Sequence, residues 1–161
     1  MPFVLSSPDI PPDSLIAPPH VYDGCGGGNL SPALQWTGAP THTLGYALTV
    51  YDPDAPSGSG WWHWQVFDMP ASTIALARNA GAASGRNLPV GARQGLNDYS
   101  QAGYGGPCPP PGDRAHRYVF TLFALKVARL ELPPVASCAL VGFNLNALAL
   151  ARASFTAHYG R

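Results

Sequence analysis

The chain predicts a mainly β domain of antiparallel strands with a single late helix. Three observations carry that reading. Apolar, β-branched and aromatic runs recur, above all Thr43–Tyr51, His63–Met69 and Arg117–Leu125, and strands that return through short connections imply antiparallel pairing. Glycine and proline number 18 each, yet 11% of residues are aromatic, which reads as a loop-rich β protein rather than a disordered one. Helical spacing of apolar residues occurs late, at Leu140, Val141, Leu145 and Leu148 within Ser137–Leu150, behind the start signal Pro133-Pro134.

Taken in order, Phe3–Ser6 predicts a first short strand, followed by a Pro-studded segment from Pro8 to Pro19 that wraps the surface in extended form. His20–Tyr22 predicts the start of another strand and Asp23–Asn29 a flexible turn. The glycines of that turn are not a phosphate loop, because no Gly-Lys-Ser/Thr follows and no helix opens behind them. Leu30–Trp36 leads into a strand ending before Gly38. Thr43–Tyr51 and His63–Met69 form the central strands. Pro70 to Pro89 is Ala/Gly-rich, with one weak helical turn expected around Thr73–Ala77, and Val90–Tyr99 is a poor strand followed by loop. Arg117–Leu125 is the third long strand. After the helix, alternation in Ser154–Tyr159 predicts a final strand.

Composition excludes several functions. The 161 residues fit one domain, 1–161, large enough to bury a core. Formal net charge is zero with 11% charged residues, so the basic stripe of a nucleic-acid binder is missing. The amino terminus has no basic n-region, and no run approaches the roughly twenty apolar residues of a membrane span. Cys25, Cys108 and Cys138 are an odd number without paired spacing, which predicts reduced thiols in a cytoplasmic protein.

Chemistry concentrates in two Pro-rich turns. The first is Asp52-Pro53-Asp54-Ala55-Pro56, followed by Trp61, Trp62, His63 and Trp64; two of the chain's nine acidic residues fall there. Pro and Asp are excluded from strand interiors, so this turn lies where a strand leaves its sheet. The second turn, Gly103–Gly112, leads to His116-Arg117-Tyr118. If the strands behind these turns are neighbours, His63 and His116 face one small pocket with rigid proline walls that offer no spare amide donors. Each residue also has a plain structural reading. His63 alone suits a core-edge histidine bonded to a carbonyl. Asp52 and Asp54 suit turn chemistry, in which Asp accepts from the amide two residues on. Alternate positions of an extended segment point apart, so one carboxylate is expected to face the ligand and the other to brace the loop. Arg117 is expected to pair with an acid, and the tryptophans to pack, with an indole N–H available to an anion.

YDPDAP, WWHW and GGPCPPPGDRAHRYVFTLFAL together resemble the phosphatidylethanolamine-binding protein family, in its compact bacterial, Raf-kinase-inhibitor-like branch. NLSPALQW (Asn29–Trp36) and VGFNLNALA (Val141–Ala149) match that branch in order, so the likeness runs from about Ser6 to Tyr159. The resemblance implies a large antiparallel sheet packed on a smaller one, helical elements at one side, and a shallow pocket for phosphate-like anions. Carried over by motif, the ligand contacts fall on Asp52, Pro56 and His63, and on Gly106, Pro109, Pro110, His116 and Tyr118; Asp54 joins them as the second acid of the first motif. Eukaryotic members have a longer C-terminal segment over the pocket, so a more open pocket is expected here. Where the branch often has an acid before Asn-Leu-Ser-Pro, this chain has Gly28.

An anion beside Asp52 is repelled unless a proton or cation intervenes, so His63, His116 or both are expected to be protonated when ligand binds, or a phosphate to share a proton with Asp52. Affinity should then rise as pH falls through roughly 7 to 6. The leading function is a binding module for a small anionic or phosphorylated ligand. Acid–base catalysis by Asp52 with His63 or His116, as a hydrolase, isomerase or cyclase, is the alternative. Cys108 is a weak nucleophile candidate, and no G-x-S-x-G elbow is present. No cofactor and no metal is assigned, two His and two Asp as a metal site ranking third. A regulatory protein that binds a kinase or another partner is the fourth reading, invited by the resemblance alone, since no sequence feature identifies a partner surface. A homodimer suits the low charge.

Overall fold

The computed structural model describes residues 1–161. Its strands are β1 (Val4–Ser6), β2 (Leu34–Thr37), β3 (Gly45–Asp52), β4 (Trp61–Pro70), β5 (Ala75–Leu76), β6 (Arg93–Gln94), β7 (His116–Leu125) and β8 (Ala149–Tyr159), and helix α1 spans Cys138–Leu148. A five-stranded sheet has the order β6-β4-β3-β7-β8 and a three-stranded sheet the order β1-β2-β5. All pairings within both sheets are antiparallel.

Why the central strands read as unbroken apolar runs is clear from their faces. Leu48, Val50, Trp64, Val66, Phe120 and Leu122 point toward the small sheet, where Leu5, Leu34, Trp36 and Leu76 meet them. Ala47, Phe67, Phe123 and Leu125 point the other way, against Val141 and Leu145 of α1. A strand buried on both faces has no solvent side to make polar, so its alternation disappears. Helix α1 is capped by Ser137, whose hydroxyl accepts from the Leu140 amide at 3.1 Å.

Several elements differ from the sequence expectation. The Thr73–Ala77 segment is not a helical turn; Ala75–Leu76 pairs with β2, because a ladder hydrogen bond outweighs weak helix propensity. His20 closes a short 3-10 turn, Pro18–His20, rather than opening a strand. Within α1, Val141 and Leu145 are buried, whereas Leu140 is on the outer side. Strand β8 begins at Ala149, directly after the helix, because β7 pairs with it from Leu125 to His116, with one register shift between Ala124 and Leu125. The expectation of three reduced thiols fails: Cys25 and Cys108 form a disulfide with Cα atoms 5.8 Å apart, and only Cys138 is free and buried. Spacing along the chain could not reveal a pair separated by 83 residues. No helix is long and apolar enough to cross a membrane.

Candidate functional site

Topology assembles the site. Strand β3 lies between β4 and β7 and runs antiparallel to both, so its last residues meet the first residues of each neighbour at one sheet end. Asp52 ends β3, His63 is the third residue of β4 and His116 begins β7. Together they line a pocket of about 240 Å³. Ala55, Pro56 and Ser57 of the first turn close one side, Cys108, Pro109 and Pro110 of the second turn another, and Trp61, Tyr99 and Tyr118 complete the wall.

Each polar group has a defined state. Asp52 is buried; its Oδ1 accepts from the Asp54 amide at 2.7 Å, and its Oδ2 lies 2.7 Å from Nδ1 of His116. Asp52 therefore shapes the turn and lines the pocket at once. The Nε2 of His116 lies 2.9 Å from Oδ2 of Asp113. Only a doubly protonated ring donates at both nitrogens, so this geometry selects the imidazolium. Burial alone would lower the His116 pKa, but hydrogen bonds to Asp52 and Asp113 outweigh it and raise the ring above its ordinary value. His63 is the opposite case. Full burial pushes it down to about 4, although the Gly105 carbonyl, 2.6 Å from Nδ1, favours the proton. The ring is thus neutral near pH 7, donating through Nδ1 and keeping Nε2 as an acceptor. His63 has the carbonyl-bonded geometry of a structural histidine and also lines the pocket. Its ring meets Tyr118 and Tyr99 edge-on at 5.2 and 5.8 Å between centroids.

Two donors of the wall find no hydrogen-bond partner within the protein, the Tyr118 hydroxyl and the Trp61 indole N–H. Both atoms are buried. Burial also raises the Tyr118 pKa, so that hydroxyl keeps its proton.

Asp54 and Gly106 fall outside this pocket. Asp54 accepts from the backbone amide, Nε and Nη2 of Arg117 at 2.8, 3.0 and 2.8 Å, which locks the first turn onto β7. The Arg117 side chain holds its carboxyl down to about 2. The Gly106 amide donates to Oδ1 of Asn29, and a Cβ there would come within 2.3 Å of the His20 carbonyl. Gly106 thus packs the second turn onto the 18–29 segment. A Cβ on Gly28 would likewise approach the Pro19 carbonyl to 2.8 Å, which leaves no room for an acid in this backbone arrangement.

Sequence reasoning passed over Tyr99 and Asp113. Tyr99 is aimed by the loop that Asn97 ties to Gly103, Tyr99 and Gln101, and its hydroxyl donates to the Gly106 carbonyl. Nothing local marks such a residue. Asp113 did carry a signal, an acid three residues before a histidine in a motif already singled out. Arg161 also serves the site: its Nε donates to the Pro109 carbonyl, and its own carbonyl accepts from the Gly112 amide. No group of three or more His, Cys, Asp or Glu side chains is arranged to hold a metal ion.

A two-sheet antiparallel fold with this Asp/His pocket at one sheet end defines a class of binding protein. A sequence profile described as phosphatidylethanolamine-binding protein matches residues 6–160, and the chain belongs to that family. Among its relatives is the UPF0098 protein YbcL of Escherichia coli, 47% identical over 159 residues, covering 98% of this chain and 87% of YbcL. The crystal structure of YbcL, described as a new member of the mammalian PEBP family, matches with a TM-score of 0.96 at 46% identity, over 99% of this chain and 98% of that one. The UPF0098 protein YbhB of Escherichia coli is 44% identical over 142 residues, covering 87% of this chain and 89% of YbhB. A protein of Mycobacterium tuberculosis named as lipoprotein LppC is 39% identical over 121 residues, covering 75% of this chain and 55% of its own length.

Proposed function

We propose that the chain binds a small anionic, phosphate-like group in the pocket between the two Pro-rich turns. The observation that carries this reading is the pair of buried donors without protein acceptors, Tyr118 Oη–H and Trp61 Nε1–H, in a wall that also holds an imidazolium. A buried donor left unsatisfied costs about 1–3 kcal/mol, and an anionic oxygen recovers that cost. The anion's counter-charge comes from His116, because burial keeps His63 neutral. A headgroup-sized ligand suits the 240 Å³ volume better than a whole lipid.

Titration calorimetry with inorganic phosphate and phosphoethanolamine tests this on the wild type, Tyr118→Phe and His116→Ala. Tyr118→Phe should weaken binding about tenfold or more while leaving the apo protein equally or slightly more stable, since it deletes an unpaired hydroxyl. Binding to the wild type that neither substitution weakens would sink the proposal, as would no binding at all.

A second reading, acid–base catalysis, is favoured by the 2.7 Å contact between Asp52 and His116. Cys108 has no place in it as nucleophile, being tied to Cys25. As for compartment, the disulfide supports an oxidising environment over the cytoplasm that reduced thiols would imply.

A further inference from the structure

His116 belongs to two cavities at once. It is the residue shared by the pocket described above and by a charged cleft on its other side, lined by Asp54, Asp113, Arg114, Arg117 and His158. From the pocket side Asp52 holds Nδ1, and from the cleft side Asp113 holds Nε2. We propose that the Asp113 carboxylate is a built-in competitor for an anion at the cleft face of His116, and that an anionic ligand reaching Nε2 from that side engages it by displacing Asp113. The inference extends the anion-binding reading above to the second face of the same ring.

Charge counting comes first. One imidazolium between two carboxylates carries one net negative charge. A ligand anion placed beside that triad meets repulsion. A monoanion that takes the place of Asp113 leaves the net charge unchanged and restores a charge-assisted hydrogen bond at Nε2.

The two carboxylates also differ in freedom. The Asp52 side chain is 3% exposed and its second oxygen is committed to the Asp54 amide, so it stays. The Asp113 side chain is 40% exposed, and its contact with His116 is its sole side-chain hydrogen bond. The backbone beneath it is held, by the Gly112 amide on the Arg161 carbonyl and the Asp113 amide on the Pro110 carbonyl, so release of Asp113 into solvent needs only rotation of its side chain.

The charged groups around the ring set the pH window. Asp52 at the end of β3 contacts it, and Asp54 in the turn that follows, Arg117 of β7, His158 of β8 and Asp113 and Arg114 of the segment between the second turn and β7 line the cleft around it. His63 on β4 is neutral near pH 7 and adds no charge. Removing Asp113 frees Nε2 but also removes one of the two acids that favour the imidazolium. The gain in affinity is therefore greatest near pH 6 and shrinks as pH rises.

The experiment compares wild type, Asp113→Asn and Asp113→Ala in titrations with inorganic phosphate from pH 5.5 to 8. In parallel, ¹⁵N NMR follows the two ring nitrogens of His116 without ligand. Both variants should bind phosphate about five- to tenfold more tightly at pH 6, with the advantage fading by pH 8 and the His116 titration moved to lower pH. Wild-type binding with no tightening in either variant overturns the Asp113 proposal and leaves the anion pocket standing. Absence of phosphate binding in all three proteins overturns both. A variant that tightens binding equally at every pH, with an unmoved His116 titration, also overturns the proposal, because Asp113 would then be acting only through the shape of the turn.

Discussion

His63 and His116 occupy strands that flank the same central strand, yet they hold opposite charge states. Desolvation decides for His63, outweighing the Gly105 and Gly106 backbone groups and the Asp52 and Asp98 charges; at His116 the paired carboxylates outweigh burial. The consequences for stability have opposite signs. The folded pKa of His63, about 4, lies below the unfolded value of roughly 6.5. Its contribution is full above about pH 6.5 and is lost as pH falls toward 4. His116 has a raised folded pKa, so its contribution is full below about 6.5 and is lost as pH rises through the folded value. NMR titration of the free protein should therefore show His63 still neutral at pH 5.5 and His116 more than half charged at 6.5. A His63 that titrates near 6.5 would refute this assignment. Legibility at this scale was partial. That a histidine belongs near each Pro-rich turn can be read from the chain, but which one carries the proton cannot, since charge state follows burial and partners from distant segments.

The first Pro-rich turn shows how an element divides two adjacent acids. Asp52 is the last residue of β3 and Asp54 lies in the turn that follows, so Asp52 enters the pocket while Asp54 takes the fork of Arg117 outside it. The expected bracing of the loop by one acid and the pairing of Arg117 with an acid are both met by Asp54, while the facing of Asp52 toward a ligand belongs to the proposed function. The Asp54–Arg117 pair is partly exposed, so Asp54→Ala should cost only about 0.5–1 kcal/mol in urea denaturation, with a smaller effect at high salt. A loss several times larger would mean the clamp supports more than the turn. The short elements were the least legible. Two-residue strands such as Ala75–Leu76 exist only because a partner strand is present, and β8 extends back to Ala149 for the same reason.

Across the whole molecule, the Cys25–Cys108 bond joins the 18–29 segment to the second Pro-rich turn, a wall of the pocket. It closes a loop of 83 residues, for which chain entropy sets a ceiling of about 4.5 kcal/mol, and disulfides typically deliver about 2–4 kcal/mol of such stabilisation. Cys25→Ser/Cys108→Ser should accordingly melt roughly 5–15 °C below the oxidised wild type in calorimetry. An unchanged melting temperature would show that other contacts carry the restraint, among them the Tyr22 amide to the Pro107 carbonyl and the stacked Tyr22–Tyr99 rings.

By itself the sequence determined the fold class, the long strands, the late helix and the two Pro-rich turns, because periodicity, proline and β-branched residues act over a few positions. Tertiary structure alone decided the disulfide, the neutral state of His63, the double clamp on His116 and the entry of Tyr99 into the wall. Each of these depends on groups far apart in the chain and on how completely water is excluded between them, and neither property is written in any local stretch.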